Sequence, residues 1–495
     1  MRASGILMHI SSLPGPYGIG SMGKSAFAFV DFLEKAEQRC RQILPLNPTG
    51  YGDSPYQSCS TFAGNHYLID LPELVQEGLL QQQETESVDW GTRENSVDFG
   101  ALYNHKLALL KIAYSRFSGG ADFDRFCRQN SSWLSDFSLY MTLKEAFSGK
   151  PWYQWDEDLK LRKPDAVWHA RQEHKDEIRF YSFVQFIFFR QWNALREYAH
   201  AKNVQIIGDV PIYVPYDSAE VWSNPELFQL DEELRPTMVA GVPPDGFTAD
   251  GQLWGNPLYR WDVLKQDGYS WWLARLAAAG KLYDVIRLDH FRGFESYWAV
   301  PYGDETARNG HWVKGPDLDF IETVKRQLPE VSLIAEDLGY LTPEVLQLRD
   351  ESGYPGMKVL EFAFDSREPS DYLPHSYTRN AVCYTGTHDN MTCRQWFETA
   401  PEDAVAYAAE YMHLNREEGY VWGMIRTAFA SVADLCIIQM QDYLELGAEA
   451  RMNCPGILSS ENWTWRAAAD FAGDALAQKI SRLTKLYCRT GNINE

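Results

Sequence analysis

The chain has 495 residues, 45% of them hydrophobic and 14% aromatic, enough to bury a large core as one α/β barrel with insertions or as two or three domains. Lys and Arg total 46 against 68 Asp and Glu, a formal net charge of -22, so a polyphosphate backbone would be repelled and nucleic acid is not an expected partner. No apolar run reaches the roughly 18 residues of a membrane span, residues 5–10 are too short for a signal-peptide core, and the eight cysteines show neither CxxC pairs nor metal-ligand spacing. The expectation is a cytoplasmic protein with reduced thiols and no metal or cofactor.

In chain order, short apolar runs bounded by turn residues predict eight strands, at 5–9, 40–46, 204–212, 283–289, 332–336, 358–364, 381–385 and 433–440. Apolar residues three and four apart predict helices between most of them, among them 25–36, 183–202, 316–327 and 401–413. Eight strands alternating with helices is the pattern of an α/β fold of the (β/α)8 TIM barrel type, here one catalytic unit over 1–495; a doubly wound sheet is the alternative. Two stretches interrupt the alternation. Residues 71–181 are mostly helical in pattern and rich in Gln, Glu and Trp, and read as an inserted helical subdomain. Residues 214–270, with Pro225, Pro236, Pro243, Pro244 and Pro257 beside many aromatics, read as a loop-rich insertion over the active-site mouth. Trp271-Trp272, with Leu273 and Leu276 following, predicts a packed helix face. The end of the chain follows soon after the eighth strand and leaves no room for a C-terminal β-sandwich.

In a parallel barrel every strand delivers its C-terminal end to one face, so Asp209, Asp289, Glu336 and Asp389 should meet there. Three of these acids close apolar runs: Val285-Ile286-Arg287-Leu288-Asp289-His290, Leu333-Ile334-Ala335-Glu336-Asp337 and Tyr384-Thr385-Gly386-Thr387-His388-Asp389-Asn390. Acids at the ends of buried strands carry a desolvation cost. With Arg and His neighbours they suit retaining glycoside cleavage, which needs a nucleophilic carboxylate and an acid/base set about 5 Å apart. Arg287, two residues back on the same strand face, should hold Asp289 ionised as nucleophile. The apolar run 333–335 and nearby negative charge should raise Glu336 and make it the acid. Asp389 would then bind sugar hydroxyls and stabilise the oxocarbenium-like transition state. Plainer readings stand beside these: an Arg287–Asp289 structural ion pair, hydrogen-bonded core histidines at 290 and 388, a turn or cap at Asp389-Asn390, and an architectural Asp209. The segments 51–57, 252–257 and 462–466 mix aromatic and planar polar groups, the combination that binds a pyranose.

Ser54-Pro55-Tyr56-Gln57, Gly208-Asp209-Val210-Pro211-Ile212-Tyr213-Val214, Pro243-Pro244-Asp245, Gly255-Asn256-Pro257-Leu258-Tyr259, Arg287 to Gly293, Ala335-Glu336-Asp337-Leu338-Gly339, Thr387-His388-Asp389-Asn390 and Met452-Asn453 carry a resemblance over nearly the whole length. The chain resembles the 4-alpha-glucanotransferases of the amylomaltase or disproportionating-enzyme type, glycoside hydrolase family 77. That resemblance implies Asp289 as nucleophile, Glu336 as acid/base and Asp389 as transition-state stabiliser. It places Arg287, His290, His388, Asp245, Gln252, Trp254 and Tyr56 at sugar-binding positions, with Asp209 and Asn453 as further candidates, and implies α-1,4-glucans (maltooligosaccharides, starch or glycogen fragments) as partners. Gly246, Ile457 and Glu461 depart from the family pattern and bear on acceptor preference and product size. An α-glucan hydrolase of the alpha-amylase type is the enzymatic alternative, and a glucan-binding protein on the same fold the non-enzymatic one.

Overall fold

The structure, a computed structural model, describes residues 2–91, 94–244, 248–365, 367 and 370–491. Its strands are β1 (Ala3–Leu7), β2 (Cys40–Gln42), β3 (Gln205–Pro211), β4 (Met238–Val242), β5 (Gln252–Pro257), β6 (Val285–Asp289), β7 (Ser296–Pro301), β8 (His311–Lys314), β9 (Ser332–Ala335), β10 (Gly356–Val359), β11 (Ala381–Tyr384) and β12 (Leu435–Gln439). Eight of them form one sheet in the order β10-β11-β12-β1-β2-β3-β6-β9, and every pairing within it is parallel. The Ala335 amide donates to the Pro355 carbonyl at 3.0 Å and joins the two outer strands, closing the ring. Each strand neighbours the next in sequence, so the TIM barrel expected from the alternation is found and the doubly wound sheet, which needs a reversal of order, is not.

The barrel strands are buried on both faces, β1 and β12 along their whole length, which is why they read as near-continuous apolar runs. Two boundaries differ from expectation for reasons visible in the hydrogen bonds. β2 ends at Gln42: the Ile43 amide still reaches Ile207 O of β3 (2.9 Å), but beyond it Leu44 N–H goes to His9 Nδ1 (3.2 Å) and Leu46 N–H to the Tyr283 hydroxyl (3.1 Å). β10 stops at Val359, where a 3-10 turn, Leu360–Phe362, begins and the Glu361 amide crosses to Thr385 O at 3.2 Å.

Between β2 and β3 lie helices that include Phe99–Ser115, Ala121–Gln129 and Ser131–Ala146, followed by a 27-residue helix, Lys175–Ala201. That long helix starts within 71–181 and continues as the helix that leads into β3, so the insertion and the barrel share an element. Tyr140 donates to Asp217 Oδ1 at 2.7 Å and Lys144 pairs with the same carboxylate, fastening these helices to the segment after β3. A second, antiparallel sheet, β5-β4-β7-β8, was not predicted. Its β4 and β5 fall inside the stretch read as loop-rich, where Gly255, Asn256 and Pro257 look like turn residues and a register irregularity between Val239 and Gly241 breaks the alternation. Trp272, on helix Ser270–Leu282, is fully buried, as the packed-face reading expects. Among the described residues, no helix is long and apolar enough to cross a membrane.

Candidate active site

Barrel register brings the acids together. Leu288 pairs with Ala335 across β6 and β9, so the next residues on each strand, Asp289 and Glu336, leave adjacent strand ends, where neighbouring strands run roughly 4.8 Å apart. Two further bonds continue that edge: Glu336 N–H to Leu288 O (3.1 Å) and Phe291 N–H to Glu336 O (3.0 Å). On the other side of β6, Asp209 of β3 is opposite Arg287. Asp389 follows β11 in a turn that Asn390 holds, its Oδ1 accepting from the Thr387 amide (2.9 Å) and hydroxyl (2.8 Å). The plain turn reading therefore fits Asn390.

Arg287 divides its charge. Its Nη1 lies 2.6 Å from Asp209 Oδ2 and 3.1 Å from Asp289 Oδ1. Tyr56 donates to the same Asp209 oxygen at 2.7 Å. Asp209 is 1% exposed, so its contacts fit the architectural role: it aims Arg287 and Tyr56 from beneath the mouth. The Tyr56 ring lies flat on His388, centroids 5.2 Å apart at 14°, and Trp463 flanks both rings.

Glu336 is gripped by backbone amides, His290 N–H to Oε2 at 2.7 Å and Leu338 N–H to Oε1 at 3.0 Å. His290 takes φ 54° and ψ 51°, a left-handed conformation that non-glycine residues seldom adopt outside constrained sites. Its ring meets Trp254 edge-on at 4.8 Å. Trp254 in turn donates to Gln252 Oε1 at 3.1 Å, so these two candidates brace each other from one face of β5. Asp389 receives Asn453 Nδ2 at 2.7 Å on one oxygen and faces His388 Nε2 at 3.3 Å on the other. Arg451, which sequence reasoning missed, binds the Asp389 carbonyl (3.0 Å) and the Asn453 carbonyl (2.8 Å) and so clamps the two loops together; its only sequence signal is its place before Met452-Asn453. Asp245 and Gly246 lie outside the described residues.

These surroundings set three carboxylates apart. Burial pushes Glu336 up to about 8; the negative charge of Asp289 adds to this, while Arg287 and the two amide bonds oppose it. Burial also raises Asp289, to about 6, with Asp209 and Asp389 adding and Arg287 opposing. Arg287 acts on Asp289 in the direction expected from the sequence, but burial outweighs it, and the closer contact of that guanidinium is with Asp209. For Asp389, burial raises, but the His388 imidazole and the bonds from His388 and Asn453 outweigh it and hold the carboxyl below its usual range. Burial, with Arg292 nearby, lowers His290 to about 3, leaving a neutral ring. Among the described residues, buried Asp209 Oδ1, Arg287 Nε and His388 Nδ1 find no hydrogen-bond partner, a concentration of unmet polar atoms beneath one mouth. Among the described residues, no group of three or more His, Cys, Asp or Glu side chains is arranged to hold a metal ion.

The sequence profile of the family described as 4-alpha-glucanotransferase, glycoside hydrolase family 77, matches residues 8–470. A 4-alpha-glucanotransferase of Clostridium butyricum is 49% identical over 486 residues, covering 97% of this chain and 100% of its own. One from Streptococcus pneumoniae is 47% identical over 499 residues, covering 100% of this chain and 98% of its own. Among solved structures, an amylomaltase from Streptococcus agalactiae in complex with acarbose superposes with a TM-score of 0.96 at 40% identity, covering 99% of this chain and 100% of the other. A barrel with these acids at one mouth and relatives alike from end to end lead to one assignment: the chain belongs to glycoside hydrolase family 77, the 4-alpha-glucanotransferases.

Proposed function

We propose that the mouth described above carries out retaining transfer of α-1,4-glucan segments, with Asp289 as nucleophile, Glu336 as acid/base and Asp389 as stabiliser of the transition state. The observation that carries this reading is the pair of adjacent strand-end carboxylates that their surroundings push to different pKa values. Between roughly pH 6 and pH 8 the pair holds one proton, which resides mainly on Glu336. Glu336 gives that proton to the 4-oxygen of the leaving sugar as Asp289 attacks the anomeric carbon, forming a covalent glycosyl-enzyme. The resulting Glu336 carboxylate then takes the proton from the 4-hydroxyl of an incoming glucan or glucose, whose oxygen displaces Asp289. Asp389, anionic and with one bond on each oxygen, still has lone pairs for sugar hydroxyls and negative charge for the developing oxocarbenium ion.

His290, Trp254, Gln252, Tyr56, His388 and Asn453 ring the acids as sugar-binding or supporting groups, and Asp245 belongs with them by motif. The substrates are maltooligosaccharides and starch or glycogen fragments. The eight cysteines are unpaired, which suits a reducing compartment, and we place the enzyme in the cytoplasm. Incubation with maltotriose tests the reading. Transfer yields glucose and longer maltooligosaccharides at a constant number of reducing ends; a steady rise in reducing ends would identify a hydrolase instead.

A further inference from the structure

A recess of 460 Å³ opens on the small sheet, away from the three acids, within the size range of small-ligand sites. One wall is the half-buried Trp261 indole, held against Tyr259 (5.1 Å) and Trp272 (6.1 Å, 23°) and so fixed in orientation. The floor is the buried Tyr297, whose hydroxyl accepts from Gln229 Nε2 at 3.4 Å while the same amide donates to Tyr259 O at 3.1 Å. Thr237, Arg260 and Asp262 are exposed on the rim.

Charge excludes one class of ligand. Arg260 and Asp262 face each other at 3.8 Å, and Lys314, also on the rim, is committed to Glu295 (2.5 Å) and Asp317 (2.7 Å). The recess thus has no surplus cation to reward an anion. What it offers is a rigid aromatic face beside an amide, a guanidinium and a carboxylate, all planar groups suited to vicinal hydroxyls. Its position matters too. From Trp254 at the catalytic mouth, ring-to-ring steps of 6.3 Å to Tyr213, 6.1 Å to Tyr259 and 5.1 Å to Trp261 reach it. Tyr213 and Tyr259 are buried, so mouth and recess are opposite sides of one aromatic wall.

We propose that this recess is a second glucan-holding site that takes a short stretch of α-1,4-glucan and tethers long donors or acceptors near the mouth. The choice of ligand rests on the transferase reading above; the existence of a neutral-polyol site rests on the recess alone. Tethering raises the effective concentration of a polymer at the acids and does nothing for a substrate too short to engage both places. Thr237→Trp should fill the recess, and the double variant Arg260→Ala/Asp262→Ala should strip its rim; neither touches the catalytic machinery. For both variants the KM for soluble starch should rise at least about threefold with kcat retained, while kcat/KM for maltotriose stays at the wild-type value, which also certifies folding. An equal change on both substrates, or none on either, overturns the proposal. So does inhibition of starch turnover by inorganic phosphate that Arg260→Ala/Asp262→Ala abolishes, since that would make the recess an anion site. Failure of the wild type to transfer from maltotriose at all would instead defeat the transferase reading.

Discussion

Asp209→Asn isolates how Arg287 is shared. The substitution keeps an acceptor for Tyr56 and Arg287 but removes one of the two negative charges that the guanidinium serves. Because Arg287 Nη1 is 2.6 Å from Asp209 and 3.1 Å from Asp289, the two carboxylate oxygens lie within about 6 Å of each other. Two unit charges at about 6 Å and an effective dielectric of about 20 repel by about 3 kcal/mol, roughly two pKa units. Asp289 keeps 27% of its side chain exposed, and solvent screening reduces the expected fall to about one unit. As the proposed nucleophile, Asp289 must be ionised to attack, so activity should be lost as pH drops through its pKa near about 6. In Asp209→Asn that acid limb should move down by about one unit, and kcat at neutral pH should fall modestly because a less basic carboxylate is a weaker nucleophile. The alkaline limb, which Glu336 sets through burial and the charge of Asp289, should move less. The assay is initial glucose release from maltotriose between about pH 4 and about pH 9, read as kcat/KM, on protein whose circular dichroism matches wild type. An acid limb that stays put or moves up would refute the sharing.

Asp289→Asn should cost several orders of magnitude in rate with folding retained, and retention of a tenth of wild-type activity would remove Asp289 as nucleophile. Glu336→Gln should be rescued selectively by an α-glucosyl fluoride, whose leaving group needs little protonation; mass spectrometry that never detects glucosylated Asp289 while donor is consumed would reverse the division of roles. Trp254→Ala removes the ring braced against His290 and Gln252, so turnover should fall and the fraction of events ending in water should rise, as read from the ratio of reducing ends to glucose; an unchanged ratio places selectivity elsewhere. Lys106, 1% exposed, donates to Ile69 O (2.6 Å), and burial lowers it to about 7. From about pH 7 to about pH 10.5 the unfolded chain holds a proton that the folded one lacks, so stability should rise with pH across that window. Lys106→Met should therefore melt a few degrees higher at neutral pH, by an advantage that shrinks as pH rises; a lower melting temperature with a pH-independent gap would show that the amine fits the site at no cost.

The acids were legible because their signal is doubled. An apolar run that ends in a carboxylate marks both a strand and its C-terminal end, and parallel closure then does the gathering. Family motifs supplied the roles proposed for them. What stayed hidden was whatever depends on a partner distant in sequence. Nothing local to Arg287 says that Asp209 takes the shorter of its two bonds, or that the Tyr56 hydroxyl is engaged beneath the mouth. Arg451 is unremarkable in sequence and becomes a clamp only because its loop meets that of Asp389. The small sheet was hidden for the opposite reason: its strands are short, carry turn residues and pair in antiparallel fashion around a segment that periodicity does not single out.

The barrel is not equally strong around its circumference. Seven of its joins are ladders, while β9 and β10 meet through the Ala335–Pro355 bond and a side-chain substitute, Asp337 Oδ1 accepting from the Met357 amide at 2.6 Å. Glu336 sits between Ala335 and Asp337, on that seam. A cylinder under thermal load parts where its stitching is thinnest, which here is the β9–β10 seam beside Glu336. A brief parting of β9 from β10 then leaves Glu336 beside Asp289, because β9 stays laddered to β6, and widens the gap from that pair to Asp389, which follows β11 across the seam, while the other seven joins remain zipped.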